Sequence, residues 1–597
     1  MTEATSEVRI KGGGFLIEGR SPEEIFTPED LTDQHRLVAQ TAEEFVTREL
    51  MPRSKEIENK KPGLLRELLQ KAAEVGLCAT DVPETYGGLN LDKISSILVS
   101  EKMARNGSWA STIGAQSGIG ILPIALFGTE AQKQKYVPKL ARAEWVGAYA
   151  LSEATSGSDA LHCQTRATLS PDGQHYILNG SKMWITNGGI ADVYIVFAKV
   201  NGEHFTAFIV ERGYPGVSVG AEEHKMGIRG SSTTPVNFDN VLVPIENVLG
   251  EVGKGHRIAF NILNFGRLKL GAGCVGASKY LIVEAARWAK DRQAFGRRIA
   301  DFGLIKEKLG EMVARTYAAE SISYRTAGLI NQALEASNSA GSGASEKIMA
   351  ILQEYAIECS ILKVIGTETL HYVADEAVQI YGGYGFSSDY EIEKAYRDQR
   401  VNRIFEGTNE INRLLMVEML MKRATKGELA LWPAAQKLLE TLLNPPAAPM
   451  QDEQPLGDVA ALVEGLKKTT LMVAGSAAQK YLAKLSEEEE VVGAISNLLM
   501  EVYATETALL RGQKMILRNG EPAAAAEVAA TRISAYEAAD RAEMEARRSL
   551  ARITDGDALR VQLSALRRFL RRTPPDLIEL KRKLTDRVLQ LNRYPFG

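Results

Sequence analysis

Cysteine is scarce: Cys78, Cys163, Cys274 and Cys359 are the only four in 597 residues, and none forms a CxxC pair. That spacing argues against a zinc module and a secreted disulfide framework, and it fits a reducing cytoplasm. The seven histidines are dispersed with no HxxxH or HxH pair, so no metal-ligand pattern is present. Basic charge is not in excess, since 71 Lys and Arg face 75 Asp and Glu; a net charge of −4 supplies no field for nucleic acid. The 52 Gly and 20 Pro follow no period, which excludes collagen-like and low-complexity classes. Residues 1–20 carry Glu3, Glu7 and Glu18 without an apolar run, which is not a signal peptide. Residues 106–129 are uncharged and long enough to span a bilayer. They also hold five Gly, Pro123 and several hydroxyls, and they read as buried helices lining something.

What is present is ordinary globular composition, 45% hydrophobic and 24% charged. A short extension, 1–25, precedes a helical domain over 26–145, with a helix start at Thr27-Pro28-Glu29-Asp30 and apolar Leu37, Val38, Phe45, Val46 and Leu50 at helical spacing. Short β-rich runs punctuated by glycine predict a β domain over 146–255. Helices return over 256–431, a Pro-rich linker is expected over 432–457, and a further helical domain over 458–597. Two motifs read as decoys. Gly271-Ala272-Gly273-Cys274-Val275-Gly276 lies inside a helical run with no strand before it, so its small residues serve close helix packing. Gly216-Val217-Ser218-Val219-Gly220 lacks the strand–turn–helix setting of a nucleophile elbow and reads as a strand with Ser218 outward.

Three segments carry chemistry. Residues 149–159 (Tyr149, Leu151, Ser152, Glu153, Ser158 and Asp159 among them) pack hydroxyls and small residues where helices give way to strands, an edge suited to a polar ligand. Trp184-Ile185-Thr186 precedes a tight turn and can flank a flat ring. Gln379, Gly382 and Gly383 are followed by Phe405-Glu406-Gly407-Thr408-Asn409-Glu410. Glu406, between two helical runs and after Ile404 and Phe405, is a base candidate, because apolar surroundings raise a carboxyl pKa toward working pH.

Together these segments resemble the acyl-CoA dehydrogenase family over residues 26–425, and the tail resembles its long-chain and very-long-chain type with a helical C-terminal extension. The resemblance implies an α+β multidomain fold: N-terminal α domain, central β domain and C-terminal four-helix bundle, plus the extra C-terminal helical domain. It implies FAD in the cleft between β domain and bundle, and α,β-dehydrogenation of a fatty acyl-CoA to the trans-2-enoyl-CoA. Glu406 would take the α-proton, the β-hydrogen would go to flavin N5 as hydride, and electrons would pass to an electron-transferring flavoprotein. Tyr149, Leu151, Ser152, Ser158, Trp184 and Thr186 would line the flavin. Arg292, Phe295, Gln379, Gly382 and Gly383 would reach the FAD of a neighbouring subunit, and the helix start at Thr408, Asn409 and Glu410 would suit the FAD pyrophosphate. Ser158, Arg267 and Gly407 would lie against the acyl-CoA, and Gly114 near the acyl tail, leaving room for a long chain. Some relatives carry the base on the helix that here holds Gly266 and Arg267; no carboxylate stands there. The departures are Ala154, His162 and Gly303, the last removing one expected FAD contact. A homodimer is implied, at the cytoplasmic side. The tail from residue 541 on carries 14 Lys and Arg against 7 Asp and Glu, and either a solvated face or peripheral contact with an anionic membrane accounts for it. Acyl-CoA oxidase, a DNA-binding alkylation-response relative and a respiratory assembly factor are the alternatives.

Overall fold

The structure, a computed structural model, describes residues 10–337, 344–443 and 455–597. The first helices are α1 (Asp33–Phe45), α2 (Ser54–Glu58), α3 (Leu64–Glu74), α4 (Lys93–Met103), α5 (Gly107–Gly114), α6 (Leu122–Phe127) and α7 (Glu130–Ala141). The helix expected to start at Thr27 is a single 3-10 turn; α1 begins at Asp33, where the Thr32 hydroxyl accepts the His35 N–H. Leu37 is exposed rather than part of the apolar stripe. The uncharged stretch runs as helix over Gly107–Phe127, 21 residues at mean hydropathy 1.4, with a π-type turn at Ala115–Gly120. Two thirds of its most apolar window is buried inside the protein.

Eight strands follow: β1 (Gly147–Ala150), β2 (Arg166–Leu169), β3 (His175–Thr186), β4 (Val193–Val200), β5 (His204–Glu211), β6 (Val217–Val219), β7 (Thr233–Pro244) and β8 (Val248–Leu249). The sheet order is β6-β7-β3-β2-β4-β5-β8, with β1 parallel on β4. β4 and β5 are buried on both faces, which explains their unbroken apolar runs. Ser218 is exposed on β6, so the GxSxG match is a strand.

The bundle comprises α8 (Gly255–Asp291), α9 (Gly303–Ala336), α10 (Ala344–Glu354), α11 (Ala356–Tyr381), α12 (Glu391–Gln399) and α13 (Asn409–Thr425). Glycines of the GxGxxG match let helices approach α8: a Cβ at Gly276 would lie 1.9 Å from the Glu101 carbonyl of α4, and one at Gly271 would strike Leu362 of α11. Beyond the bundle come α14 (Leu431–Leu443), α15 (Gly457–Tyr481), α16 (Glu489–Asn519), α17 (Ala525–Ile553), α18 (Gly556–Phe569) and α19 (Leu577–Leu591). The expected linker is therefore helical over its first part. Pro433 stands in the first turn of α14, where no N–H is needed, and Leu438 is buried. Residues 444–454 lie outside those described.

The described part of the N-terminal extension is built into the core. The Gly13 N–H donates to Glu358 at 2.7 Å, and the Phe15 ring meets Tyr503 of α16 at 4.8 Å between centroids. Buried ion pairs, Arg325–Glu506 and Arg511–Glu320 at 2.7 Å each, join α9 to α16 and lock the extra domain onto the bundle. On α18, Ala565 and Leu566 face inward while Arg567 and Arg568, with Arg571 just beyond, are exposed.

Candidate active site

A cavity opens between the β domain, the bundle and the uncharged helix. Its walls include Thr186 of β3, Gly114 of α5, Gly118, and Gly266 of α8, with Glu406 among them. Glu406 sits in the turn before α13 with a left-handed backbone (φ 58°), followed by Gly407 at φ 79°. Glycine adopts that conformation at no steric cost, and the double reversal delivers the chain to the N-cap of α13. The cap is Thr408, whose hydroxyl accepts the Ile411 N–H at 3.2 Å.

The Glu406 side chain lies against Gly266. A Cβ at Gly266 would come within 2.6 Å of its Oε2, and Oε2 is fully enclosed with no hydrogen-bond partner. Burial pushes the carboxyl up to about 7, against the pull of the Arg267 and Lys363 cations. The Glu406 backbone N–H likewise has no acceptor among the described residues. A general base must be ionised, so kcat/KM is expected to rise with pH through an acid limb near pH 7. A limb near 4.5, the ordinary glutamate value, would refute the burial of this group.

The turn is pinned from behind. Arg267 Nε donates to the Glu406 carbonyl at 3.1 Å and Arg267 Nη1 to Asn264 at 2.9 Å. Asn412 Nδ2 donates to the Gly407 and Thr408 carbonyls at 2.9 and 3.0 Å. Lys363 Nζ donates to the Gly407 carbonyl at 2.8 Å. Arg267 and Gly407, expected against the substrate, are thus also tied into this turn. The guanidinium is buried among internal acceptors, and the Gly407 carbonyl is spent on Lys363 and Asn412. The Asn409 side chain is equally committed, to Lys363, Thr367 and Glu368, because it faces α11 rather than the cleft. Glu410 is exposed.

On the β side, Met183 and Trp184 form a bulge in β3, where the register on β7 shifts between Lys182 and Ile185. Trp184 has φ 57° and is 59% exposed, so it is no core residue; Thr186, two positions on, lies on the cavity wall. Ser152 is half-buried, its carbonyl accepting the Met183 N–H at 2.9 Å, and Ser158 is exposed. Tyr149 is buried against Phe197, with its Oη 3.5 Å from the Ala259 carbonyl, and Leu151 is buried. Neither acid of that segment serves the cavity. Glu153 is buried on Lys182 at 2.7 Å, and Asp159 pairs with His162.

A second, open cleft is lined by Arg292, Gly382, Gly383, Tyr384 and Trp288. Gln379 and Phe295 are exposed beside it, Phe295 at 95%. Arg292 lies 26 residues along α8 from Gly266, about 39 Å by helical rise, so the two clefts cannot serve one end of a single ligand. Lys363, Asn412 and the facing role of Gly266 escaped the sequence reading. A lone lysine in the apolar run 359–366 was the signal available for the first.

An unpaired carboxyl oxygen, enclosed beside a cleft between a β domain and a helical bundle, marks a candidate enzyme site. Family models for the acyl-CoA dehydrogenase N-terminal, middle and C-terminal domains match residues 32–144, 148–241 and 253–421, and a further acyl-CoA dehydrogenase C-terminal domain matches 465–568. A probable acyl-CoA dehydrogenase of Bacillus subtilis (strain 168) is 48% identical over 598 residues, covering all of both chains. The mitochondrial very long-chain specific acyl-CoA dehydrogenase of Homo sapiens is 43% identical over 58% of this chain and 52% of its own length. The crystal structure of an acyl-CoA dehydrogenase complexed with FAD from Bacillus anthracis matches with TM-score 0.95 and 48% identity, over 98% of this chain and all of that one. The chain belongs to the acyl-CoA dehydrogenase family, flavin-dependent oxidoreductases acting on CH–CH bonds.

Proposed function

We propose that the protein desaturates long-chain fatty acyl-CoA thioesters at the α,β bond, with Glu406 as the base. The Glu406 carboxylate against Gly266, with its Oε2 enclosed and unpartnered, carries this reading. The residues fit FAD. The Trp184 indole projects from its bulge, Thr186 stands on the cavity wall, and Gln399 of the same wall keeps a buried Oε1 without a partner. When bound, FAD supplies an acceptor for the β-hydrogen and its electron pair. Glu406 takes the α-proton, while its own backbone N–H is available to the thioester oxygen, where charge develops as that proton leaves. The apolar surroundings of the carboxyl hold its basicity near neutral pH.

The length of the cavity supports a long acyl chain. Gly266, Leu270, Gly273, Ala277 and Leu281 of α8 line it on one face. Fifteen helical steps span about 22 Å, and an extended chain advances about 1.2 Å per atom, giving room for roughly sixteen to eighteen carbons. Across from them a Cβ at Gly114 meets nothing within 4 Å. Gly114→Phe is expected to fill that space, raising KM for a sixteen-carbon acyl-CoA at least about tenfold while an eight-carbon one changes little, since each buried CH₂ is worth about 0.8 kcal/mol. Equal effects on both lengths would place the tail elsewhere.

A homodimer belongs to the same proposal. The exposed Phe295 and the Arg292, Gln379, Gly382 and Gly383 cleft are supported as the part that reaches a second copy's FAD, given their distance from Gly266. Electron-transferring flavoprotein as acceptor, a cytoplasmic location, and peripheral membrane contact through the exposed arginines of α18 complete it. Formation of 2-enoyl-CoA from acyl-CoAs of graded length tests the function. Product with an artificial electron acceptor and without peroxide supports a dehydrogenase; stoichiometric peroxide in air supports an oxidase instead.

A further inference from the structure

Lys363 stands near the start of α11 with its side chain fully buried, behind the catalytic turn and outside the cavity. A buried ammonium is costly unless its donors are used. Two of the three go to the segment that follows Glu406: the Gly407 carbonyl at 2.8 Å and Asn409 Oδ1 at 2.7 Å. Asn409 in turn donates to Thr367 and Glu368, each at 3.1 Å, so the lysine and its partner tie the first residues after the base to one helical turn of α11. The left-handed pair Glu406 and Gly407 is an unfavoured backbone for the glutamate, and it persists only where the surroundings over-determine it.

We infer that Lys363 is a positioning residue for proton abstraction: it fixes the Glu406–Gly407 turn from its buried side and thereby holds the base against Gly266. It touches neither the cavity nor the reacting atoms. Its charge acts on the base as well. The charged and titratable groups around the pair are Arg267 and Cys274 on α8, Tyr149 on β1, and Glu410 at the start of α13, besides Lys363 and Glu406 themselves. The Lys363 cation opposes the upward push of burial on Glu406, and burial in turn lowers Lys363 to about 8. Removing the cation leaves Arg267 alone against burial, so the base becomes harder to ionise.

This role presupposes Glu406 as the base. The full-length FAD-loaded enzyme and its Lys363→Met and Lys363→Arg variants are compared for kcat per bound flavin, KM and the acid limb of kcat/KM. Lys363→Met is expected to lower kcat about 10²-fold, leave KM within about threefold, and move the limb up by about one pH unit. Lys363→Arg, which keeps the cation, is expected to hold the limb at its wild-type pH and recover part of kcat. A Lys363→Met enzyme with wild-type kcat per flavin, or with its limb unmoved, overturns the inference; a merely structural role would lower folded yield and flavin content only. Should Lys363→Met fail to accumulate, Asn409→Ala removes one anchor and spares the charge. It is expected to lower kcat about tenfold with the limb in place, and unchanged kcat there overturns the positioning role. Absence of wild-type turnover, or an active Glu406→Gln enzyme, would instead defeat the assignment of the base.

Discussion

Glu406→Gln is expected to lose turnover by about 10⁴-fold while still binding FAD and acyl-CoA. The amide has nearly the carboxylate's shape and fills the same space against Gly266, but it cannot accept the α-proton. Stability supplies an internal control. Burial raises the Glu406 pKa from 4.5 to about 7, so its contribution to stability is full below 4.5 and is lost as pH rises through 7. Replacing it with a neutral amide is therefore expected to leave the Tm of the ligand-free protein at about pH 8 equal to wild type or higher. Loss of activity together with a lowered Tm would point to a structural role.

Gly266→Ala is expected to produce a large defect from the smallest change. Its methyl would lie 2.6 Å from the Glu406 Oε2 and 2.8 Å from its carboxyl carbon. These atoms end a flexible side chain, so the fold yields cheaply, but the base is displaced from its post. A shift of about 1 Å costs about 10² in rate; kcat is expected to fall by that factor with Tm within a degree or two of wild type. Wild-type kcat in this variant would mean that the carboxylate works from another position.

Much of this was legible in the sequence. The α, β, α order followed from periodicity, and the two decoys were separable by setting: the first has no strand before it, and the second is a strand without the turn and helix that a nucleophile elbow needs. Glu406 stood out as a carboxylate after apolar residues and before a helix cap. The internal pairings were less legible, because a side chain that spends its polarity internally reads like a ligand contact. Arg267 reads as a cation for a phosphorylated ligand, and two of its donors also go to Glu406 and Asn264. Glu153 reads as part of a polar ligand edge, yet it neutralises Lys182. The α14 segment was hidden by its proline content, although Pro433 sits in a first turn that tolerates it. The docking of Gly13 and Phe15 depends on Glu358 and Tyr503, hundreds of residues away. Pairings at such separation leave no local trace.

The central claim, a buried carboxylate that draws the α-proton from an acyl thioester beside a flavin, is tested most directly by anaerobic titration of the purified, FAD-loaded protein with a sixteen-carbon saturated acyl-CoA, followed by visible absorbance. Bleaching of the oxidised flavin band in wild type, with an unbleached but ligand-perturbed spectrum in Glu406→Gln, is the expected result. A wild-type flavin that stays oxidised with the thioester bound, or a Glu406→Gln flavin that bleaches equally fast, would contradict it.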